Sequence, residues 1–138
     1  MTLLDAYALV AFLVGGPAAA DVRTILREGN AAVSTANLTE VLDVCQRVYG
    51  VSIAKAMEII DPLLEGALSA IPLDISVARR AAQIRATHYH RASRPISLAD
   101  AVLIASAKQA DRVATADPDV LAVAGAEGIT SLELPGQD

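Results

Sequence analysis

Four acidic side chains stand where the sequence changes from one kind of local structure to another. Asp5 and Asp117 each follow a short apolar run, whereas Glu40 and Asp100 fall early in helix-like segments. Carboxylates that converge repel one another and raise each other's pKa values unless a divalent cation neutralises them. Carboxylates and water suit Mg²⁺ or Mn²⁺, and a water held by such an ion can attack phosphorus. Attack of a metal-bound water on phosphorus is therefore a chemistry that these residues could perform if they converged.

The same acids stand where carboxylates commonly cap helices. Ser97-x-x-Asp100 has the pattern of a capping box, in which the acid reaches back to the N–H of the first residue. Asn37-x-x-Glu40 resembles a second capping box, and Asp117-Pro118-Asp119 is an ordinary turn and cap sequence. Taken one at a time, these patterns leave both the capping and the metal interpretations open.

The segment around Asp100 is the most apolar helix of the chain. Pro95 ends the preceding element, Ser97 is a natural N-cap, and nearly every position from Leu98 to Ala107 is apolar or small. Such a helix is expected to be buried on most sides.

Short apolar runs alternate with helical patterns along the whole sequence. This alternation predicts a single α/β domain over residues 1–138, with a central, mainly parallel sheet of four or five strands joined by right-handed crossovers. Strands are predicted over 1–5, 31–34, 67–73, 112–115 and 129–134. Helices are predicted over 7–14, 18–27, 35–49, 52–64, 75–91 and 97–107, with a helical turn at 120–124.

Parallel strands bring certain side chains to one edge of the sheet. Ligands of open α/β sheets bind at the carboxyl ends of the strands, and Asp5, Glu40 and Asp117 each lie just after a strand or early in the following helix. Three acids are therefore predicted to share that edge. Crossover geometry alone does not place Asp100 there.

Four sequence segments together resemble the PIN-domain family, and within it the small VapC-type toxin ribonucleases of bacterial toxin–antitoxin pairs. The segments are Leu4-Asp5-Ala6, Asn37-x-x-Glu40, Ser97-Leu98-Ala99-Asp100-Ala101 and Thr115-Ala116-Asp117. They occur in the order and at the separations usual in that family. The resemblance implies a three-layer α/β/α sandwich and places Asp100 with the other acids.

The resemblance also implies a role for each site residue. Asp5, Asp100 and Asp117 would hold Mg²⁺ or Mn²⁺, and Glu40 would ligate the metal or orient the attacking water. Asp119 would be an accessory ligand, and Thr115 would position the site by hydrogen bonding. The expected activity is endonucleolytic cleavage of single-stranded or looped RNA.

Partners follow from the same resemblance. A free ribonuclease is toxic to its own cell, so VapC-type proteins are held by a cognate antitoxin, whose Arg or Lys would fill the acidic cleft. Apolar stripes on the helices predicted at 18–27 and 52–64 exceed what one small sheet can cover. We therefore also expect a homodimer.

Charge is unevenly distributed along the chain, whose net charge is −5. Residues 1–78 contain 4 basic and 9 acidic side chains, residues 79–112 contain 7 and 2, and residues 113–138 contain 0 and 5. The acidic total argues against tight nonspecific binding to long DNA, whereas the basic third is compatible with an RNA backbone. Arg80, Arg91 and Arg94 are the candidate RNA contacts, with a solvated basic face as the alternative.

Composition excludes several other classes of protein. The single cysteine, Cys45, permits no intrachain disulfide, and the scattered aromatic residues cannot form the stacking surface of an RRM or OB fold. The chain has no apolar run long enough to cross a bilayer, and no basic region precedes its first apolar segment, so we expect a cytoplasmic protein.

Two alternative functions belong to other classes. A receiver-type phospho-acceptor needs paired acids after its first strand and a late lysine, whereas Asp5 stands alone and Lys55 and Lys108 fall within predicted helices. A degenerate PIN-like module that only binds protein is the second alternative.

Overall fold

All strands of the sheet run in the same direction. In the computed structural model, which describes residues 1–137, five strands lie in the order β3-β2-β1-β4-β5, and all neighbouring pairs are parallel. The strands are β1 (Thr2–Leu4), β2 (Ala31–Ser34), β3 (Leu68–Ile71), β4 (Arg112–Thr115) and β5 (Thr130–Glu133). The helices are α1 (Ala6–Val14), α2 (Ala19–Arg27), α3 (Thr35–Arg47), α4 (Ile53–Leu64), α5 (Ile75–His88), α6 (Leu98–Ser106) and α7 (Pro118–Ala126). The predicted α/β class is confirmed.

Alternating side chains of the strands enter two separate cores. Leu4, Val33 and Ala114 pack with residues of α1 to α4 on one face of the sheet. Their chain neighbours Leu3 and Ala32, like Val113, pack with residues of α5, α6 and α7 on the other. Since side chains of a strand point alternately to opposite faces, these cores define three layers, helices on sheet on helices.

The order of the strands determines where a site can form. β2 and β3 lie on one side of β1, whereas β4 and β5 lie on the other. The direction of the crossovers reverses between β1 and β4, and open α/β sheets bind ligands outside the carboxyl ends of the strands at such a reversal. This order also differs from the 2-1-3-4-5 order of receiver domains, so that alternative is removed.

The extents of α5 and α7 differ most from the sequence prediction. α5 ends at His88 rather than at 91, because His90 and Arg94 pair across a tight turn in which His90 Nδ1 accepts the N–H groups of Ala92 and Ser93. Arg91 therefore does not lie on the face of α5. α7 is a full helix rather than a turn, because Pro118 follows the N-cap Asp117, where its preset φ favours helix.

The expected exposed stripes are mostly covered by the chain itself. Val22, Ile25 and Leu26 of α2 are buried in the core, so this helix offers no apolar stripe to a second copy. α4 buries Ala56 and Ile60, but leaves other apolar side chains such as Ile53 and Ile59 exposed. The homodimer therefore stays a prediction, and only the exposed apolar side chains of α4 still support it.

No helix among residues 1–137 is by itself long and apolar enough to cross a membrane. The pair α1 and α2 has the required length and composition together, but the two helices are bent by 102°.

Candidate functional site

The acids singled out in the sequence line one depression at the carboxyl edge of β1 and β4. Its volume is about 530 Å³. Its acidic lining residues are Asp5, Glu40, Asp100 and Asp117. Of the residues that the structure shows lining it, none is an arginine or a lysine. The fold thus brings together four carboxylates without a compensating cation, and it includes Asp100, which strand order alone did not place there.

Asp5 is the most buried of these acids. It stands between β1 and α1 as the N-cap of the helix, and only 5% of its surface is exposed. Oδ1 accepts the N–H of Ala8 at 2.8 Å, and Oδ2 accepts the hydroxyl of Thr115 at 2.6 Å. The N–H of Asp5 also donates to the carbonyl of Ala114 at 3.2 Å. Both the backbone and the side chain of Asp5 therefore join β1 to the end of β4.

Thr115 connects two of the acids through one hydroxyl group. Its side chain is fully buried, donates to Asp5 and accepts the N–H of Asp117 at 3.1 Å. The hydroxyl consequently sets the position of Asp117 relative to Asp5, which is the positioning role that the resemblance implies for it.

Asp117 and Asp119 follow β4 at the start of α7. Asp117 is the N-cap, and its Oδ1 accepts the N–H of Asp119 at 2.8 Å. The carboxylate of Asp119 does not line the depression, but its charge contributes to raising the pKa of Asp100. Asp119 is therefore near the site without being part of its wall.

Asp100 forms the capping box that its sequence pattern predicts. Ser97 Oγ accepts the N–H of Asp100 at 3.0 Å, and Asp100 Oδ2 accepts the N–H of Ser97 at 3.1 Å. The same carboxylate lines the acidic depression. Because an ionised carboxylate has about four acceptor positions, capping leaves most of them available. The two interpretations of Asp100 are compatible.

Asn37 and Glu40 do not form the capping box that their sequence pattern left open. Ser34 is the N-cap of α3, and it accepts the N–H of Asn37 at 3.0 Å and donates its hydroxyl to Asn37 Oδ1 at 2.6 Å. Asn37 is thus a buried residue inside the first turn. Glu40 lies one turn later, where no backbone N–H group needs a cap, and its side chain reaches the depression.

Electrostatics of the depression favour protonation of Asp5, Glu40 and Asp100. Burial, opposed by the hydrogen bonds from Thr115 and Ala8 and reinforced by the charges of Asp100 and Asp117, raises the pKa of Asp5 from 3.8 to about 6. Burial and then the charge of Asp100 also raise the pKa of Glu40. The pKa of Asp100 is raised by burial and by Asp117 and Asp119, against its hydrogen bonds to Ser97.

These shifts and the donor atoms fit a hard divalent cation. The depression offers carboxylate oxygens, the ligands that Mg²⁺ and Mn²⁺ prefer, and it lacks the charge that would neutralise them. Within residues 1–137, no three carboxylate, imidazole or thiol groups are already gathered closely enough to enclose an ion.

The arginines predicted to contact RNA lie outside the acidic depression. Arg80 lines a separate groove on α5 with Arg79, and Arg91 is exposed in the turn after that helix. Arg94 is half-buried, with its backbone paired to His90. These arginines therefore lie on α5 or in the turn after it, and not among the acids of the depression.

Sequence reasoning missed the C-terminal wall of the depression. Gly136 and Gln137 line it, and the hydroxyl of Tyr7 donates to the carbonyl of Pro135 at 2.6 Å. The only sequence signal was the position of Tyr7, two residues after Asp5. The sequence of the segment after β5 contains no pattern that predicts its position beside the acids.

The raised pKa of Asp5 has a measurable consequence for stability. Between pH 4 and 6 the folded protein holds this proton more tightly than the unfolded chain, so ionisation destabilises the metal-free fold as the pH rises. We expect Asp5→Asn to be more stable than wild type at pH 7.5, by up to about 3 kcal/mol, and the difference to vanish near pH 4.

Urea denaturation in EDTA across this pH range measures that difference. Asp61→Asn, which changes an exposed acid of α4, is the matched control and should track wild type. An Asp5→Asn curve parallel to wild type from pH 4 to 7.5 would contradict the electrostatic description of the site.

Several solved structures have this fold. A chain of FitAB bound to an IR36 DNA fragment is 25% identical with a TM-score of 0.69, over 96% of this chain and 94% of that one. FitAcB from Neisseria gonorrhoeae is 25% identical with a TM-score of 0.64, over 96% and 97%. A toxin–antitoxin complex from Klebsiella pneumoniae contains a chain that is 17% identical with a TM-score of 0.68, over 97% and 100%.

The identity to the Klebsiella pneumoniae chain is low enough that this comparison supports the fold alone. Among curated proteins, none matches this sequence significantly. The family assignment comes from the sequence itself, which matches the PIN domain over residues 2–126. The chain therefore belongs to the PIN-domain family.

Proposed function

We propose that this protein is a Mg²⁺- or Mn²⁺-dependent endoribonuclease and the toxin of a toxin–antitoxin pair. The observation that carries the proposal is the depression at the strand-order reversal, where four carboxylates meet and the lining residues that the structure describes include no arginine or lysine. Membership of the PIN family and the likeness to FitAB and FitAcB support it.

The residues of the site have different proposed roles. Asp5, Asp100 and Asp117 are the proposed metal ligands, Asp119 is an accessory ligand, and Thr115 keeps Asp5 and Asp117 in register. A bound Mg²⁺ or Mn²⁺ would offset the charge of the scissile phosphate and supply a water poised for attack.

Glu40 is the best candidate to orient that water or to accept its proton. It makes no cap in the described structure, and its raised pKa makes it a stronger base than an ordinary glutamate.

A catalytically degenerate PIN-like module is the alternative function. In such a module, loss of the acids would leave binding unchanged. The intact set of four carboxylates, held by dedicated hydrogen bonds at Asp5 and Asp100, favours the enzyme.

Cleavage of RNA tests the activity directly. With Mg²⁺ or Mn²⁺, Asp5→Asn and Asp100→Asn should each cut a fluorescent single-stranded RNA at least about a hundredfold more slowly than wild type, because each removes a preorganised charge from the site. EDTA should abolish cleavage, and added Mn²⁺ should restore it. Asp61→Asn is the matched control and should cleave normally. Activity that survives both substitutions and chelation would show that the acids serve only as helix caps.

An antitoxin is the proposed macromolecular partner, and the cytoplasm is the proposed place of action. Four carboxylates without a cation in the described wall form a site that an Arg or Lys of a partner could neutralise. The Klebsiella pneumoniae chain that shares this fold belongs to a toxin–antitoxin complex, and we propose a similar arrangement for this chain. A homodimer is also proposed, through the apolar side chains that α4 leaves exposed.

Growth of cells that express the chain tests the toxin assignment. Expression of wild type alone should arrest growth, Asp100→Asn should not, and co-expression of the protein encoded by the adjacent gene should restore growth. Unimpaired growth with wild type, at a level at which purified protein is recovered folded, would contradict the toxin assignment.

A further inference from the structure

A second depression lies beside the first turn of α6, outside the acidic site. Its lining residues are Ala82, Arg85, Ala86, Tyr89 and Leu98. Its volume is about 340 Å³, and its two largest apolar side chains are exposed, Tyr89 at 41% and Leu98 at 61%. Ala82 and Ala86 are one helical turn apart, so their small side chains leave an open floor between the larger residues.

Arg85 and Tyr89 form a preoriented pair in this depression. The Arg85 guanidinium carbon lies 4.4 Å from the centre of the Tyr89 ring, and Arg85 Nε donates to the carbonyl of Ile96 at 3.1 Å. Within residues 1–137, Arg85 forms no ion pair with a carboxylate. Proteins that bind single-stranded nucleic acids combine aromatic rings, on which bases stack, with arginines that contact the backbone or lie over the rings, as Arg85 lies over Tyr89.

Charge around the depression favours an anionic ligand. The segment from 75 to 99 contains no acidic residue. Its arginines are Arg79, Arg80, Arg85, Arg91 and Arg94. An apolar partner surface of a second copy would gain nothing from this charge, whereas a polynucleotide would.

The depression is also placed close to the acids. Ser97 and Asp100 line the acidic site, whereas Leu98, between them in the sequence, lines the second depression. Because residues two apart on a helix point to opposite sides, the two depressions flank the first turn of α6 at roughly one helix diameter, about 10 Å.

We propose that Tyr89 and Arg85 form a platform for one nucleobase of an RNA strand that crosses the start of α6 into the acidic site. The base stacks on the face of Tyr89 that Arg85 does not cover, in the depression that Leu98 also lines, while the Arg85 guanidinium supplies positive charge that attracts the RNA backbone. One ring accommodates one base, so the platform selects for an unpaired nucleotide near the cleaved bond. This assignment rests on the proposed ribonuclease function, but it concerns binding rather than cleavage.

Intrinsic fluorescence provides a readout of stacking that needs no cleavage. The chain has no tryptophan and 3 tyrosines, so tyrosine emission is directly observable. Unlabelled single-stranded RNA of mixed sequence is titrated into wild type, Tyr89→Phe, Tyr89→Leu and Arg85→Ala in EDTA, and binding is measured in parallel by anisotropy with labelled RNA. Arg23→Ala, on the exposed side of α2, is the matched charge control.

RNA should quench part of the tyrosine emission of wild type, and Tyr89→Leu and Tyr89→Phe should both lose that quench. Tyr89→Phe should keep wild-type affinity, whereas Tyr89→Leu should bind about tenfold more weakly, because leucine is apolar but has no π face. Arg85→Ala should weaken binding and lower its salt dependence, unlike Arg23→Ala.

Several results would overturn the platform. They are wild-type affinity in Tyr89→Leu, an unchanged quench in Tyr89→Phe, or absence of RNA binding by wild type. Conversion of a dimer to monomer by Tyr89→Leu, measured by sedimentation velocity, would assign the surface to self-association instead. Because cleavage is scored separately, RNA binding with no metal-dependent cleavage would refute the proposed activity while leaving the platform intact.

Discussion

The buried carboxylate of Asp5 is the constraint around which the site is built. It joins β1 to β4 through the hydroxyl of Thr115 and begins α1 through the N–H of Ala8. Burial makes its charge costly, and the hydrogen bonds that reduce this cost also fix its direction. A side chain held so firmly cannot turn away from its neighbours, so the repulsion within the depression remains in the folded protein.

Helix caps reconcile that repulsion with a stable fold. Asp5, Asp100 and Asp117 each stand in or just before the first turn of a helix, where they accept backbone N–H groups. The positive end of a helix dipole stabilises negative charge, so three helix starts support three carboxylates that would otherwise separate. Capping and ligand binding are therefore two uses of the same oxygens. For the same reason, capping patterns in the sequence could not decide between them.

Local sequence patterns were sufficient to predict much of the fold and the positions of three of the acids. Apolar runs and helical periodicity gave the alternation that forces parallel strands, and strand ends then located Asp5, Glu40 and Asp117. The position of Asp100 depends on how α5 and α6 pack within one crossover, which no periodicity encodes. The turn at His90 and the return of Gln137 to the site depend equally on tertiary contacts.

Calorimetric titration with Mn²⁺ tests most directly whether the acidic depression is a cation site. The raised pKa values mean that an ion must displace protons near pH 6 but not near pH 8, since Asp5 is about half protonated at the lower pH. In buffers of different ionisation enthalpy, we predict binding with release of a fraction of a proton per ion at pH 6 and almost none at pH 8. Absence of Mn²⁺ binding would contradict the account. So would binding that is equally strong in Asp5→Asn and that releases no protons at pH 6.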